Sequence, residues 1–551
     1  VANSNGSGEP IYVRLLNCLK ASIEAGELPL DSKLPTNREL ASLLKIDRST
    51  VSRAYNELAE VGFIESHVGR GTYVVSTQPQ RIPPLPGAAW HRALSDNNDR
   101  QILKDRAGQK RPRPAEITWS EKFSRGSTLT SELIEALPPA VAEESDFISF
   151  AGGSPASDTM PLDDLRKGLG ELLKSRRANQ MFDYSPAEGD GFLRSQIMAY
   201  LSRQGMRVAE DELLILSGSQ QGIDLVAATL IDPGDKIVIE NPTYFWALCN
   251  FRARQAKFLP VDIDQNGMQV DQVESWCNQY VPKLIYTIPD FQNPTGATMS
   301  LKRRERLIEI ANKYGAAVFE DRSVGELCYE GESLPAVRSL SGAANVVIHQ
   351  GTLSKALCPG LRIGWLVGPP EVIARLRMAK RARDLSTNSV AQVLLANYLE
   401  KGLYESHLQR VKKLYRERRD TMLASLNQHF GAPSTTTGHQ RTGHRNKDQA
   451  LTWQIPGGGL FVWAKLPEGF SARELLAYAE RRGVSFSPGD LYFTDRAHSE
   501  YLRLCFIQND SARIQQGVAR LADAVFQLLA KRRLGASFAG GNYAGSSNVH
   551  V

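Results

Sequence analysis

A lysine that is to condense with an aldehyde needs a lowered ammonium pKa and a means of holding what it attacks, and both can be read in one stretch. The run is Gly351-Thr352-Leu353-Ser354-Lys355-Ala356-Leu357-Cys358-Pro359-Gly360-Leu361-Arg362-Ile363-Gly364-Trp365, between two apolar, strand-like segments. Burial or a neighbouring cation would free the Lys355 amine, and Arg362 can be that cation. The hydroxyls of Thr352 and Ser354, with the Arg362 guanidinium, suit a phosphate dianion. An amine for an aldehyde and a clamp for a phosphate are together what pyridoxal 5'-phosphate requires.

Five other stretches could complete such a site. Ser217-Gly218-Ser219-Gln220 joins a strand-like run to a helical one, so its backbone amides can receive a phosphate at the helix N-terminus. Tyr244, just past a second apolar run, offers a ring to stack on a pyridine. In Asn293-Pro294-Thr295-Gly296 a turn fixes a side-chain amide that can donate to a ring oxygen. Phe319-Glu320-Asp321 ends a further run in carboxylates, and a buried aspartate can keep a pyridine nitrogen protonated. Local spacing does not separate Asp321 from Glu320. Arg503, inside the strand-like residues 501–506, would be costly to bury unless it met an anion, and an amino-acid carboxylate is the obvious one.

These residues must be positioned by a scaffold. Short apolar runs at residues 212–216, 236–240, 284–287, 317–320 and 346–349 alternate with helical patterns, which predicts an α/β domain with a largely parallel sheet. Ligands of such sheets collect at the carboxyl ends of the strands, where these candidates fall. A helix is expected near residues 132–142 and a long basic one over 404–429. The polar residues 431–450 read as a mobile insertion, and 534–551 as a disordered tail.

The chain has 551 residues, 42% of them hydrophobic, which exceeds one compact domain. No apolar run approaches the roughly 20 residues of a membrane span, and no secretory pattern opens the sequence. Cys18, Cys249, Cys277, Cys328, Cys358 and Cys505 lack C-x-x-C spacing and read as reduced thiols of a cytosolic protein, with no metal framework. A net charge of +6 is mild, so only its distribution is informative.

That distribution favours the N-terminal region. Ile11, Leu15, Leu19 and Ile23 mark a helix over residues 9–26, and Thr36 with Glu39 forms a capping box for a second, facing inward through Leu40, Leu43 and Leu44. A third buries Val51, Ala54, Tyr55 and Leu58 and leaves Arg48, Ser49, Thr50 and Arg53 near its exposed front. Residues 62–74 read as a hairpin with Arg70 at its tip. A helix-turn-helix presents such side chains to the major groove and its phosphates. Residues 77–117 are rich in breakers and read as a flexible linker.

The pattern Leu-Pro-Thr-x-Arg-x-Leu-Ala, then Arg-x-Thr-Val-x-x-Ala-Tyr-x-x-Leu and Gly-x-Gly-Thr-Tyr-Val resembles the winged-helix domain of GntR-type bacterial repressors. By that resemblance Arg38, Arg48, Ser49, Thr50, Arg53 and Arg70 are DNA-contact candidates. The Lys355 segment and the five motifs resemble fold-type I aminotransferases over residues 118–533. The resemblance implies Ser219, Gln220, Thr352, Ser354 and Arg362 at the phosphate, Tyr244 on the ring and Asn293 at the 3-oxygen. It further implies Asp321 at the ring nitrogen, Lys355 as cofactor lysine and Arg503 at a carboxylate. Tyr184 resembles a tyrosine that reaches the partner subunit's phosphate, implying a homodimer. Relatives commonly place a tyrosine shortly after the aspartate; here the run is Asp321-Arg322-Ser323-Val324, and Ser323 cannot reach as far as a tyrosine.

A winged helix over residues 9–76, a linker, and an aminotransferase-like α/β domain over 118–533 together resemble the MocR/GabR family of bacterial transcription regulators. The resemblance implies a cytoplasmic, dimeric regulator of double-stranded operator DNA that senses pyridoxal phosphate or an amine or amino-acid effector. The alternative is an active aminotransferase with an accessory DNA-binding domain.

Overall fold

The computed structural model describes residues 11–44, 46–60, 62–67, 71–76, 119–138, 146–431 and 450–540. The chain divides into two compact units, residues 1–117 and 118–551. The expected linker, the polar insertion within 432–449 and Arg70 all lie outside the described residues.

In the first unit α1 (Ile11–Glu24) packs on α3 (Arg48–Glu60), with α2 (Asn37–Leu44) between them in sequence. The capping box is formed: the Glu39 carboxylate accepts from the Thr36 amide at 2.8 Å, and Thr36 Oγ1 accepts from the Glu39 amide at 3.3 Å. Strands β1 (Lys33–Leu34), β2 (Ile64–His67) and β3 (Gly71–Val74) make an antiparallel sheet in the order β1-β3-β2. The core takes Leu15 and Ile23 from α1, Val51, Ala54, Tyr55 and Leu58 from α3, and Phe63, Ile64 and Val74 from the hairpin. One inward residue differs from expectation. Leu43 is 75% exposed, and Ala41 is buried in its place. At about 100° per residue, Leu40, Ala41 and Leu44 share a face that Leu43 misses.

The first strand of the second unit, β4 (Ile148–Ser149), pairs in parallel with β15 (Val484–Ser485) far along the chain. Its main sheet has eight strands: β5 (Leu213–Leu216), β6 (Lys236–Asn241), β7 (Lys257–Asp264), β8 (Gly267–Met268), β9 (Leu284–Thr287), β10 (Ala317–Asp321), β11 (Val347–Thr352) and β12 (Gly364–Val367). Their order is β5-β12-β11-β10-β9-β6-β7-β8. The pairs from β11 through β10, β9 and β6 to β7 are parallel, whereas β12 is antiparallel to both its neighbours. Strands β5, β9, β10 and β11 are buried along their whole length or nearly so, as apolar runs without alternation require. A smaller antiparallel sheet has the order β13-β14-β17-β16, from β13 (Thr452–Trp453), β14 (Phe461–Lys465), β16 (Ser487–Pro488) and β17 (Tyr501–Cys505).

Three helices matter most for the site. The first helix of this unit, α4, spans Arg125–Ile134 and is capped by Ser124, whose Oγ accepts from the Ser127 amide at 3.2 Å; it begins before the expected residues 132–142. Helix α5 (Ser219–Leu230) follows β5, and α6 (Phe245–Ala253) follows β6. The basic helix α7 (Leu403–Phe430) is present, and the final helix α8 (Ser511–Gly540) continues past Arg533, where composition alone suggests a tail.

Candidate active site

The carboxyl ends of β5, β6, β9, β10 and β11 all open on a cavity of about 400 Å³. It is lined by Lys355, Ser219, Gln220, Tyr244, Asn293, Asp321, Ser354, Arg362 and Arg503, among others. Nine of the candidates named from sequence thus meet in one place. Thr352 and Tyr184 do not line it.

Lys355 leaves the end of β11 and donates through Nζ to the Gly153 carbonyl at 2.9 Å. Its ammonium pKa is lowered, first by burial and then by Arg503 and Arg362, while Cys505 and Asp321 act the other way. Arg362 is therefore a lesser cause than the sequence suggests. Tyr415, from α7, donates to the Lys355 carbonyl at 3.3 Å and steadies that backbone.

Asp321 and Glu320 are separated by strand alternation. The ladder pairs Phe319 with Tyr286, and Asp321 shares that face; Tyr286 Oη donates to Asp321 Oδ2 at 3.0 Å and Ser323 Oγ to Oδ1 at 2.5 Å. Glu320 points to the opposite face, where it pairs with His349 Nδ1 at 2.8 Å and accepts the amides of Val337 and Arg338. Burial raises the Asp321 pKa against the pull of Ser323, Tyr286 and Gln350. Burial also works against Glu320, but His349, Arg322 and the Val337 amide prevail and bring it to about 2. Among the described residues Asp321 thus has neutral hydrogen-bond donors, where Glu320 also has the charge of Arg322 close by.

Arg503 on β17 is buried, yet among the described residues its hydrogen-bond partners are neutral oxygens: Asn293 Oδ1 at 2.9 Å, the carbonyls of Ala151 and Gly152 at 2.8 and 3.0 Å, and Ser487 Oγ at 3.4 Å. Among the described residues its Nε has no hydrogen-bond partner, and the guanidinium carbon lies 3.9 Å from the Phe461 ring centre. An arginine can only donate, so Asn293 must turn its oxygen to Arg503 and its amide hydrogens elsewhere. The turn itself is fixed by Gln292, which donates to Glu240 and Pro242 and accepts from Thr295.

At the other end Arg362 adopts a left-handed backbone, φ 52°, and its guanidinium lies against Gly218 at the start of α5. A Cβ on Gly218, whose φ is 85°, would stand 2.3 Å from Arg362 Nη2, so the helix N-terminus and the arginine come together only over glycine. Thr352 sits behind this cup. Its Oγ1 donates to the Ile363 carbonyl at 2.8 Å, which leaves it to accept from Ser354 Oγ, also at 2.8 Å. Tyr184 is 82% exposed.

Sequence reasoning misses Tyr286, Ser323 as a donor to Asp321, and the aromatic pair Phe461 and Tyr492 under Arg503, whose centroids lie 3.9 and 5.0 Å from the guanidinium carbon. Strand register brings in Tyr286 and Phe461 and a short helical turn brings in Tyr492, whereas Ser323 lies only two residues past Asp321. In the first unit Arg48 and Arg53 are exposed on α3 as expected, but Arg53 already faces Glu57 at 3.6 Å and the Tyr12 ring at 3.8 Å. Arg38 and Ser49 lie on α2 and α3, and Thr50 is half-buried. Among the described residues no helix is long and apolar enough to cross a membrane.

The doubly wound sheet and its lysine-centred pocket define a domain of the fold-type I aminotransferase class, joined to a winged-helix unit. The chain matches the family "Aminotransferase class I and II" over residues 145–521 and "Bacterial regulatory proteins, gntR family" over 11–74. It is 35% identical over 407 residues to aromatic-amino-acid aminotransferase 1 of Thermococcus litoralis, covering 73% of this chain and 93% of that one. The α-aminoadipate aminotransferase LysN of Thermus thermophilus, solved with N-(5'-phosphopyridoxyl)-L-leucine, superposes with a TM-score of 0.67 at 32% identity, covering 75% of this chain and all of the other. Nearly the full length is matched by the probable rhizopine catabolism regulatory protein MocR of Rhizobium meliloti, 25% identical over 94% of each chain. The chain belongs to the aminotransferase class I and II family, in the branch that carries a GntR-type DNA-binding domain, as the MocR regulators do.

Proposed function

We propose that this protein is a transcription regulator whose large unit holds pyridoxal phosphate on Lys355 and binds an amino-acid effector there, while the winged helix reads operator DNA. The observation that carries the reading is a buried pocket with one end built for a phosphate and the other holding an arginine whose hydrogen bonds, among the described residues, go to neutral oxygens. The residues fit the cofactor: among the described residues Asp321 is a buried carboxylate held by neutral donors, and Arg503 Nε is a donor with no partner. Bound pyridoxal phosphate supplies an aldehyde that condenses reversibly with primary amines and a ring that withdraws electrons.

The chain's own part rests on its geometry. Burial keeps the Lys355 amine readily deprotonated and so nucleophilic. Ser219, Gln220 and Arg362 would take the phosphate, and Ser354 would join them by turning its hydroxyl from Thr352 to the phosphate. Asp321 would hold a proton on the ring nitrogen, and the Asn293 amide, turned by Arg503, would donate to the 3-oxygen. Arg503 would orient an incoming carboxylate. A dimer would place Tyr184, exposed on its own subunit, at the partner's site. Different affinities of the two ligation states for DNA then couple the sites.

The test is reconstitution with pyridoxal phosphate. A visible absorbance band should appear, borohydride should fix the label on Lys355, and Lys355→Ala should show neither; a colourless wild-type protein would end the proposal. A second reading, a working aminotransferase, is favoured by the completeness of the pocket. Ser323 argues against it, since its hydroxyl is committed to Asp321 and stands where the resemblance to aminotransferases implies a tyrosine. Sustained turnover of an amino acid with a 2-oxo acid would decide for the enzyme, and a single conversion per site for the sensor.

A further inference from the structure

Among the described residues, four charged side chains line the pocket: Asp321, Lys355, Arg362 and Arg503. The cofactor and a ligand carboxylate would engage all four. None is left to meet a charged ligand side chain. Beyond Arg503 the wall is apolar, because Tyr492, 5.0 Å from the guanidinium carbon, belongs to a buried cluster with Leu491, Phe245 and Leu133. Trp246 follows Phe245 on α6, and Leu137 joins the wall from the residues just after α4.

Leu137 matters because of where it falls in the chain. Helix α4 is the first helix of the large unit. It is pinned to α6 at both ends: Leu133 enters the cluster, and a Cβ on Gly126 would stand 2.6 Å from the Ala253 carbonyl. Arg473 donates to the Ala136 carbonyl at 2.9 Å. A group filling this wall therefore touches α6 and the segment that leads back in sequence toward the DNA-binding unit at the same time.

Building on the pyridoxal phosphate reading, we infer that the effector is an α-amino acid with an apolar, preferably aromatic, side chain that seats against Leu137, Phe245, Trp246 and Leu491, and that this contact orders the α4 segment. Burying a benzyl group in place of a methyl raises affinity on the order of tenfold or more. Among the described residues an acidic side chain finds no cation there that the carboxylate and phosphate do not already engage.

The experiment titrates the full-length, cofactor-loaded protein with L-phenylalanine, L-alanine and L-aspartate, following the cofactor absorbance. Amide hydrogen exchange is read over residues 125–137 with and without phenylalanine. Expected are the order phenylalanine, alanine, aspartate, and slower exchange in that segment. Leu137→Asn should collapse the phenylalanine-to-alanine ratio; should that variant not fold, Trp246→Ala, at a 38% exposed position, tests the same wall. Aspartate binding tightest, phenylalanine and alanine binding equally, or exchange unchanged on phenylalanine binding would each overturn the inference. A protein with no cofactor band refutes the reading on which this one rests, whereas a normal band with the wrong ligand order refutes this one alone.

Discussion

Glu320 and Asp321 are adjacent carboxylates on one strand, and exchanging each for its amide should have opposite consequences. In the folded chain the Glu320 carboxyl stands at about 2 against an ordinary 4.5. At roughly 1.4 kcal/mol per pH unit, that separation corresponds to about 3 kcal/mol of stability at neutral pH. The sign is set by the lowered value. The contribution is complete above pH 4.5 and is lost as pH falls toward 2. Glu320→Gln should therefore lose about 3 kcal/mol at pH 7 and gain little further instability on acidification to pH 3. Asp321 is raised, so its contribution is present below its ordinary value and is lost as pH rises. Asp321→Asn should leave the cofactor-free protein no less stable at pH 7, and should abolish tight cofactor binding that Glu320→Gln retains. Urea unfolding followed by tryptophan fluorescence serves, because residues 1–76 contain no tryptophan and six of the seven lie beyond residue 117. Equal stability losses in the two variants, or an unaltered cofactor spectrum in Asp321→Asn, would refute the assignment of the two faces.

Single contacts give three further expectations. Lys355→Met should stabilise the cofactor-free protein at neutral pH, and its advantage should shrink as pH rises through the lowered lysine value toward 10.5, as seen in denaturation at several pH values. Arg503→Met should weaken amino acids by roughly 10- to 150-fold, the span of one or two charge-assisted hydrogen bonds, while leaving simple amines without a carboxylate almost unaffected in the same spectral titration. Arg48→Ala should weaken operator binding and lower the slope of log affinity against log salt by about 0.9, with the cofactor band unchanged.

Most of the scaffold is legible because its signals are local. Uninterrupted apolar runs place the central strands, and Thr36 with Glu39 places the start of α2, since a capping box involves only neighbouring residues. Leu43 shows the limit of such reading: three leucines in one short helix do not reveal which of them loses to Ala41. The choice between Glu320 and Asp321 is not legible at all. It depends on which neighbour lies across the ladder, Tyr286 or His349, and that is a matter of register between segments some 30 residues apart. The Thr352 hydroxyl, close to Lys355 in sequence, suggests a place in the phosphate cup. The antiparallel return of β12 brings the Ile363 carbonyl to it instead.

The same return has a mechanical result. Lys355 and Arg362 lie on one short crossing whose two ends, Thr352 and Gly364, are paired to each other in the interior of an eight-stranded sheet, and Gly364 is paired again to Leu216. Displacing the lysine would mean breaking ladder hydrogen bonds at the centre of the domain, so the cofactor's attachment works as a fixed abutment. What an arriving ligand can shift more cheaply lies on the opposite side, where α4 meets its neighbours through side chains and the carbonyls of Ala253 and Ala136.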